Sequence, residues 1–344
     1  MRFNEVHVEA FGRALPEEAV TSDALEERLL PLYDRLRVSV GRLELMSGIR
    51  ERRFWPPGTR PSEVAARAGR DAIERSGIDP AEIGVLIHGA VCRDFLEPAT
   101  ASVVHGALGL SERCGAFDLS NACLGVANGM VQVATMIEAG AIRAGLVVAG
   151  EDGRPLVEET IRHLLADDSA GREELKRAYA SLTIGSGAAA VLLTHADLAN
   201  TSRRLIASAS LAATEHVGLC QGDRAEGREG PLMDTDSEAL LQAGNALAVR
   251  TFANFLDETG WTRETIEAVV THQVGAAHRR LLFESLELDT AKDHPTVGFL
   301  GNVGSVSLPI SYALAEASGA LRTGQRTALL GIGSGLHCSM LALQ

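Results

Sequence analysis

Short apolar runs alternate with longer mixed stretches along this chain. The clearest runs occupy residues 83–88, 146–150, 188–193, 266–272 and 328–331. Patterns typical of helices lie between them. Continuous apolar strands that alternate with helices indicate mainly parallel sheets covered on both faces. The pattern therefore predicts an α/β protein.

The same order of elements occurs twice. A helix, a glycine turn and a buried strand follow one another over residues 70–88 and again over residues 253–272. The glycines of the two turns, Gly77 and Gly260, are 183 residues apart. This repeat indicates that the chain contains two related halves.

A second repeated block sets the boundaries of the halves. Gly140 and Gly319 begin matching helix-to-strand connections and are 179 residues apart, so a small gap separates the two blocks. We predict two homologous α/β halves, residues 1–195 and 196–344. The first half is expected to carry an additional polar, helical insertion over residues 151–183.

Charge and hydropathy exclude several classes of function. The 344 residues carry a net charge of −13 with a pI near 5.3, which argues against non-specific nucleic-acid binding and gives no support to docking on an anionic membrane. No apolar stretch reaches the length of a membrane span, and no signal peptide is recognisable. We expect a soluble cytoplasmic protein.

The cysteines give no sign of a metal site. They show neither a Cys-x-x-Cys pair nor Cys/His spacing typical of metal ligands, and their number is odd, which suits free thiols in a reducing compartment. We expect no metal and no cofactor. The five are Cys92, Cys114, Cys123, Cys220 and Cys338.

Three short motifs contain the candidate chemistry. Cys123 lies in Ser-Asn-Ala-Cys-Leu-Gly, His272 in Thr-His-Gln-Val-Gly and Asn302 in Gly-Asn-Val-Gly-Ser. We expect Cys123 to begin a long helix, where the helix dipole lowers the pKa of a thiol. A thiol, an imidazole and an amide can form a thioester and stabilise the enolate or oxyanion that follows.

Each of these residues alone has a structural alternative. A free cysteine is often a small buried apolar residue, a histidine at a strand end is often a satisfied core residue, and an Asn-Val-Gly segment is often a turn. The combination of Cys123, His272 and Asn302 in small-residue frames favours the catalytic interpretation.

Two further features have both interpretations. Glu97 precedes a helix that starts with proline, so it is either a solvated cap or a functional carboxylate. Gly331, Gly333 and Gly335 form either a tight bend or a segment that directs a backbone N–H at an oxyanion.

Together these motifs resemble the ketoacyl synthase III branch of the thiolase superfamily, and the resemblance covers essentially the whole chain. Within that branch, further segments resemble the enzymes that join two fatty acyl-CoAs in head-to-head olefin biosynthesis. These segments are residues 30–36, 48–55, 93–98, 117–124 and 329–340.

The resemblance implies a thiolase-like duplicated five-layer αβαβα fold, a homodimer and fatty acyl-CoA substrates. It implies that Cys123 takes an acyl group and that His272 and Asn302 stabilise developing charge. It also implies that Glu97 reaches the partner subunit's active site as a base, and that the backbone N–H groups of Cys123 and Ser334 bind the oxyanion. Downstream enzymes of the olefin pathway are then possible partners.

Some positions depart from related subfamilies. Arg42 and Met46 stand where ketoacyl synthase III enzymes usually carry a tryptophan and an arginine that grip the adenine of CoA. Cys338 follows the C-terminal glycines, whereas degradative thiolases place a second catalytic cysteine ahead of them.

The residues therefore favour a non-decarboxylative Claisen condensation of two fatty acyl-CoAs to a 2-alkyl-3-ketoacyl product. The alternatives are a ketoacyl-ACP synthase III that uses malonyl-ACP, a condensation like that of hydroxymethylglutaryl-CoA synthase, and an acyltransferase or thioesterase that forms no carbanion.

Overall fold

The computed structural model describes residues 1–223 and 230–344, and its first part is built around a five-stranded sheet. Strands β2 and β3 form a separate antiparallel pair. The elements of this part are β1 (Val6–Ala14), β2 (Glu18–Thr21), α1 (Ser22–Arg28), α2 (Leu30–Leu36), α3 (Arg42–Ser47), β3 (Glu51–Phe54), α4 (Pro61–Ser76), β4 (Ile83–His88), α5 (Thr100–Leu108), β5 (Gly115–Asp118), α6 (Gly125–Glu138), β6 (Ala144–Glu151), α7 (Arg154–Ala166), α8 (Arg172–Leu182) and β7 (Gly187–His195).

The first sheet is mixed, which corrects the expectation of mainly parallel strands. Its order is β1-β7-β6-β4-β5. Strand β4 runs parallel to β5 and β6, whereas β7 runs antiparallel to β6 and β1. Antiparallel strands alternate in polarity when one face meets water. Here every residue of β6 is buried, and all of β7 except its last residue, so the alternation that would have distinguished them is absent.

The second part is built around a four-stranded sheet of order β11-β12-β13-β8. Strands β11 and β12 are parallel, and the other two pairings are antiparallel. The elements of this part are β8 (Leu205–Ala212), β9 (Cys220–Asp223), β10 (Leu232–Thr235), α9 (Ser237–Thr259), β11 (Ala268–Thr271), α10 (Ala276–Leu286), α11 (Val297–Leu300), α12 (Ser307–Ala317), β12 (Thr327–Gly333) and β13 (His337–Leu343).

The described elements stack in five layers. Helices α4 and α5 cover the outer face of the first sheet, α6 and α12 lie between the two sheets, and α9 with α10 covers the outer face of the second sheet. One apolar core joins both sheets through the middle helices, and it includes Val147, Met130, Ile310 and Leu341. Full burial of such a side chain contributes roughly 1.5–3 kcal/mol, so the middle layer holds the two sheets together.

Glycines end the matching helices in both parts. Helix α4 is followed by Gly77 with φ of 67°, and α9 is followed by Gly260 with φ of 68°. A residue with a side chain is strained in this left-handed conformation, which explains why glycine occurs at both sites. The glycine repeat seen in the sequence thus marks the C-terminal ends of two matching helices. The domain boundary at residue 195 and the insertion over residues 151–183 remain predictions.

None of the described helices is both long enough and apolar enough to cross a membrane.

Candidate active site

Cys123 lies in a short 3₁₀ turn, Ala122–Leu124, just ahead of α6. The α-helix begins at Gly125, so Cys123 precedes the helix that it was expected to begin. Ala122 has φ of 45°, a left-handed conformation that is uncommon for a residue with a side chain. Strained backbone of this kind concentrates at functional sites. The turn leaves Cys123 partly exposed.

Two glycines let the nucleophile turn approach the end of β4. A Cβ atom on Gly125 would lie 2.2 Å from the carbonyl oxygen of Gly89, and a Cβ atom on Gly89 would lie 2.6 Å from the carbonyl carbon of Gly125. Neither residue can carry a side chain without displacing backbone. Close contact between strand end and helix start therefore depends on both glycines.

The C-terminal glycines pack against the same turn. A Cβ atom on Gly333 would lie 3.4 Å from the backbone nitrogen of Cys123, and one on Gly331 would lie 2.6 Å from Leu124 Cδ2. Ser334 follows Gly333 in the connection between β12 and β13. The oxyanion hole formed by the N–H groups of Cys123 and Ser334 remains a prediction, and the close packing of Gly333 supports it.

His272 directly follows β11. Its backbone N–H donates to the carbonyl oxygen of Leu330 at 2.9 Å, which ties it to the middle of β12. The side chain is 4 % exposed. Burial lowers the pKa of His272 to about 3, with a further lowering by His278, so the imidazole is neutral near pH 7. A neutral imidazole can accept one proton and donate another.

Gln273 fixes the backbone beside His272. Its side-chain nitrogen donates to the carbonyl oxygen and to Oγ1 of Thr271, each at 3.0 Å. Its side-chain oxygen accepts from the N–H groups of Thr296 and Val297 at 3.3 and 3.4 Å. The glutamine of the His-Gln pair therefore has a structural role at the start of α11.

Asn302 is held on both sides of its peptide. Its N–H donates to the carbonyl oxygen of Thr183 and its carbonyl oxygen accepts from the N–H of Gly185, each at 2.9 Å. The side-chain oxygen accepts from the N–H of Gly304 at 3.0 Å. This bond occupies the amide oxygen and leaves the amide NH₂ as the group that can donate to a ligand.

The turn that contains Cys123 and the turn that follows Asn302, here named the Asn302 turn, meet in the structure. A second 3₁₀ turn, Gly304–Val306, follows Asn302 and contacts the Ala122–Leu124 turn. The Ala122–Leu124 turn also contacts β12, which pairs with the strand before His272. The fold thus gathers the elements of all three sequence-predicted residues, although they come from both halves of the chain.

The Cys123 thiol has a higher pKa than the sequence suggested. Its pKa is raised to about 12, chiefly by burial and then by the nearby Glu151 and Cys220 side chains, whereas a backbone hydrogen bond lowers it. The expectation of a pKa lowered by a helix start is therefore wrong. Desolvation of the thiolate outweighs the helix because Cys123 lies ahead of α6 and close to a carboxylate.

Glu97 does not join this group within one chain. It lies on an exposed loop between β4 and α5. Asp94 anchors the loop by accepting from the N–H of Ser62 at 2.9 Å and from its hydroxyl at 2.5 Å. Leu96 beside Glu97 is 97 % exposed. The loop therefore leaves Glu97 exposed to solvent in the single chain.

Sequence reasoning missed Glu151. This residue ends the otherwise uncharged strand β6, and it is 5 % exposed. A charged residue at the end of a buried strand was the available signal, because a buried carboxylate must be hydrogen-bonded. Its charge acts on the Cys123 thiol, so it belongs to the electrostatics of the site.

No metal site accompanies these residues in the part of the chain that the structure describes. No group of three His, Cys, Asp or Glu side chains is placed there to bind a metal ion.

Family models match along most of the chain. The model described as "Thiolase, N-terminal domain" matches residues 57–153. The model "3-Oxoacyl-[acyl-carrier-protein (ACP)] synthase III" matches residues 117–213, and its C-terminal counterpart matches residues 256–344. Together with the five layers, these matches confirm the thiolase-like fold class.

Full-length relatives narrow the assignment. The chain is 41 % identical to an acyl-CoA:acyl-CoA alkyltransferase of Shewanella oneidensis over 100 % of both chains. It is 38 % identical to one of Xanthomonas campestris over 99 % of this chain and 98 % of the relative. The crystal structure of cerulenin-bound OleA from Xanthomonas campestris superposes with a TM-score of 0.94 at 37 % identity, covering 100 % of this chain and 98 % of that chain. The chain therefore belongs to the acyl-CoA:acyl-CoA alkyltransferase (OleA) family of ketoacyl synthase III-like, thiolase-fold condensing enzymes.

Proposed function

We propose that this acyl-CoA condensing enzyme uses Cys123, His272, Asn302 and the partner's Glu97 to join two fatty acyl-CoAs by a non-decarboxylative Claisen condensation. The observation that carries the proposal is the convergence of the Cys123 turn, the Asn302 turn and the strand before His272. The acyl-CoA:acyl-CoA alkyltransferase activity for which these relatives are named supports the substrate class.

The first step is acyl transfer to Cys123. The thiol sulfur attacks the carbonyl carbon of the first acyl-CoA, the carbon–sulfur bond to CoA breaks, and the thiol proton goes to the departing CoA sulfur. A thiol with a pKa raised to about 12 is protonated at neutral pH, so the attack needs a proton acceptor. The departing CoA sulfur is that acceptor, because burial lowers the pKa of His272 to about 3 and makes its imidazole a weak base. The N–H groups of Cys123 and Ser334 stabilise the oxyanion.

The second step forms the carbon–carbon bond. A carboxylate, Glu97 of the partner subunit, removes a proton from the α-carbon of the second acyl-CoA. The carbanion attacks the acyl carbon on Cys123, and the Cys123 sulfur leaves. The product is a 2-alkyl-3-ketoacyl compound. The amide NH₂ of Asn302 and the imidazole of His272 donate to the thioester oxygen on which charge develops.

A homodimer is part of this proposal. The outer edge of β5 has no paired strand among the described residues, and Phe117 on that strand is 40 % exposed. Exposed apolar side chains continue onto the Glu97 loop at Val91, Phe95 and Leu96. Unpaired strand edges and contiguous apolar patches are usually covered in the working assembly. Covering this face with a second copy would bring Glu97 of the partner subunit towards the Cys123 site.

The proposal also places the enzyme in the cytoplasm, ahead of enzymes that consume a 2-alkyl-3-keto product in head-to-head olefin biosynthesis. It requires neither a metal nor a redox cofactor, because both steps transfer acyl groups and protons without a change in oxidation state.

The decisive experiment supplies one long-chain acyl-CoA and no malonyl donor, with analysis of products by mass. We expect a product that combines two acyl chains. Glu97→Gln should still acylate Cys123 but lose most condensation, since a positioned base contributes roughly 10²–10⁴-fold. Full activity of Glu97→Gln with a malonyl donor would instead favour the decarboxylating ketoacyl synthase reaction.

Mixed dimers test whether the base acts across the subunits. A heterodimer of Cys123→Ala and Glu97→Gln subunits has one site that lacks both groups and one that retains both. Condensation should partly return in such heterodimers, while each variant alone stays inactive. Verified heterodimers without recovery would exclude a base supplied by the partner subunit.

A further inference from the structure

The carboxylate of Glu151 is buried but is not part of an ion pair among the described residues. Four hydrogen bonds reach it. Oε1 accepts from the N–H of Val91 at 3.0 Å and from the hydroxyl and the N–H of Ser305 at 2.5 and 3.4 Å. Oε2 accepts from the N–H of Cys92 at 3.1 Å. Hydrogen bonding on this scale satisfies the acceptor oxygens of a buried carboxylate.

These bonds join two catalytic elements. Val91 and Cys92 form the start of the loop that carries Glu97, whereas Ser305 lies three residues after Asn302. The loop start is held a second time, because the Cys92 sulfur accepts from the N–H of Asp152 at 3.4 Å. One carboxylate therefore connects the root of the Glu97 loop to the Asn302 turn.

The matching strand of the second half carries no carboxylate at the corresponding position. Gly150 and Glu151 align with Gly331 and Ile332 in the matching apolar run. Ile332 lies within β12, where it pairs with Cys338 of β13. A carboxylate close to the nucleophile also opposes thiolate formation, a cost that an apolar side chain at this position would not have.

We propose that Glu151 is a positioning residue for the condensation step, which holds the Glu97 loop and the Asn302 turn of one chain at a set separation. This inference rests on the proposed function. Because Glu97 acts in the partner's site, the carboxylate links the geometry of one active site to the base that its chain supplies to the other. Glu151 acts through these two elements and not by contact with substrate.

Three variants of the dimer test the role. Glu151→Gln keeps the size of the side chain but replaces one acceptor oxygen by an NH₂ group, which cannot accept from Val91 or Cys92. Glu151→Asp keeps the charge on a shorter side chain. Ser305→Ala is the matched control, because it removes one donor and leaves the carboxylate in place.

The first readout separates acylation from condensation with a single acyl-CoA. Displacement of reacting groups by about 1 Å can reduce rates by ~10²-fold. We therefore expect Glu151→Gln to condense ~10–10²-fold more slowly while the rate of Cys123 acylation changes only a few-fold. Ser305→Ala should lose less condensation, and Glu151→Asp should recover part of the loss.

The second readout is the rate of Cys123 alkylation by iodoacetamide from neutral to alkaline pH, followed by peptide mass. The titratable groups that act on this thiol are Glu151 on β6 and Cys220 on β9. Glu151→Gln should speed alkylation at each pH below the thiol pKa, because thiolate forms more readily once the charge is removed. Ser305→Ala should leave the pH profile of Cys123 alkylation unchanged. Cys220→Ala measures how much the Cys220 thiol contributes to that profile.

The outcomes distinguish failure of the positioning role of Glu151 from failure of the proposed function. Parental condensation by Glu151→Gln, or equal losses of acylation and condensation, would overturn the positioning role. If Glu151→Gln does not fold, parental condensation by both Glu151→Asp and Ser305→Ala would overturn it. Absence of condensation in the parent enzyme would refute the proposed function instead, and the alkylation profile would still report whether the Glu151 charge acts on the nucleophile.

Discussion

The two halves of the chain build the same turn and use it differently. In the first half, the turn Ala122–Leu124 leads into α6, and its first residue has φ of 45°. In the second half, the turn Gly304–Val306 leads into α12, and its first residue has φ of 58°. The second residue of the turn is Cys123 in one half and Ser305 in the other.

The proposed catalytic side chains occupy positions that are not repeated. Aligning Gly77 with Gly260 places His272 opposite Gly89, which has no side chain because α6 packs directly against it. Cys123 corresponds to Ser305, which instead donates to Glu151 at 2.5 Å. Each reactive side chain therefore has a small or inert counterpart. The duplicated fold supplies the scaffold, and the differences at matched positions leave one proposed site in place of two.

The largest expected effect comes from exchanging the turn residues for alanine. Cys123→Ala should abolish the acyl-enzyme, because alanine has no sulfur to attack the thioester. Ser305→Ala, the matched change in the other half, should still form the adduct. Intact-protein mass after exposure to an acyl-CoA measures both. A stable acyl adduct on Cys123→Ala would show that the first turn does not supply the nucleophile.

Removing the donors of the second half should have the next largest effect. Asn302→Ala and His272→Ala should condense two acyl-CoAs ~10²–10³-fold more slowly, since each removes one preorganised donor from a developing negative charge. Some acylation of Cys123 should persist in both variants. Single-turnover measurements of acylation and condensation give the two rates, and parental condensation by Asn302→Ala would contradict the assignment.

The smallest expected effect concerns the left-handed residue that starts each turn. Gly304→Ala should lower the free energy of unfolding by about 1 kcal/mol, because alanine is strained at this φ, and its Cβ would also meet the Glu151 carboxylate at 3.4 Å. Ala122→Gly should not be destabilising, because relief of strain offsets the greater entropy of the unfolded chain.

Denaturant unfolding of the two variants measures these differences. Ala122→Gly is the control, because it relieves backbone strain at the position equivalent to Gly304, where the change to alanine introduces strain. Equal destabilisation by the two changes would mean that the turns are not conformational equivalents.

Local patterns were sufficient for much of the fold. The alternation of apolar strands and helices predicted an α/β chain, and the spacing of Gly77 and Gly260 revealed the repeat, because a helix end with positive φ requires glycine wherever it recurs. Strand direction was not predictable. Strands β6 and β7 are buried on both faces, so a parallel and an antiparallel arrangement produce the same apolar run.

The sequence by itself determined which reactive groups are present: a thiol, an imidazole and an amide. Each lies in a short motif with glycine or other small residues, which allow segments of backbone to approach closely. The tertiary structure decided which groups act on one another. It places Cys123 ahead of the helix and beside Glu151, and there burial raises the thiol pKa. It also turns the Glu97 loop outward. Desolvation and charge coupling depend on distances between segments remote in the chain, and no local pattern encodes those distances.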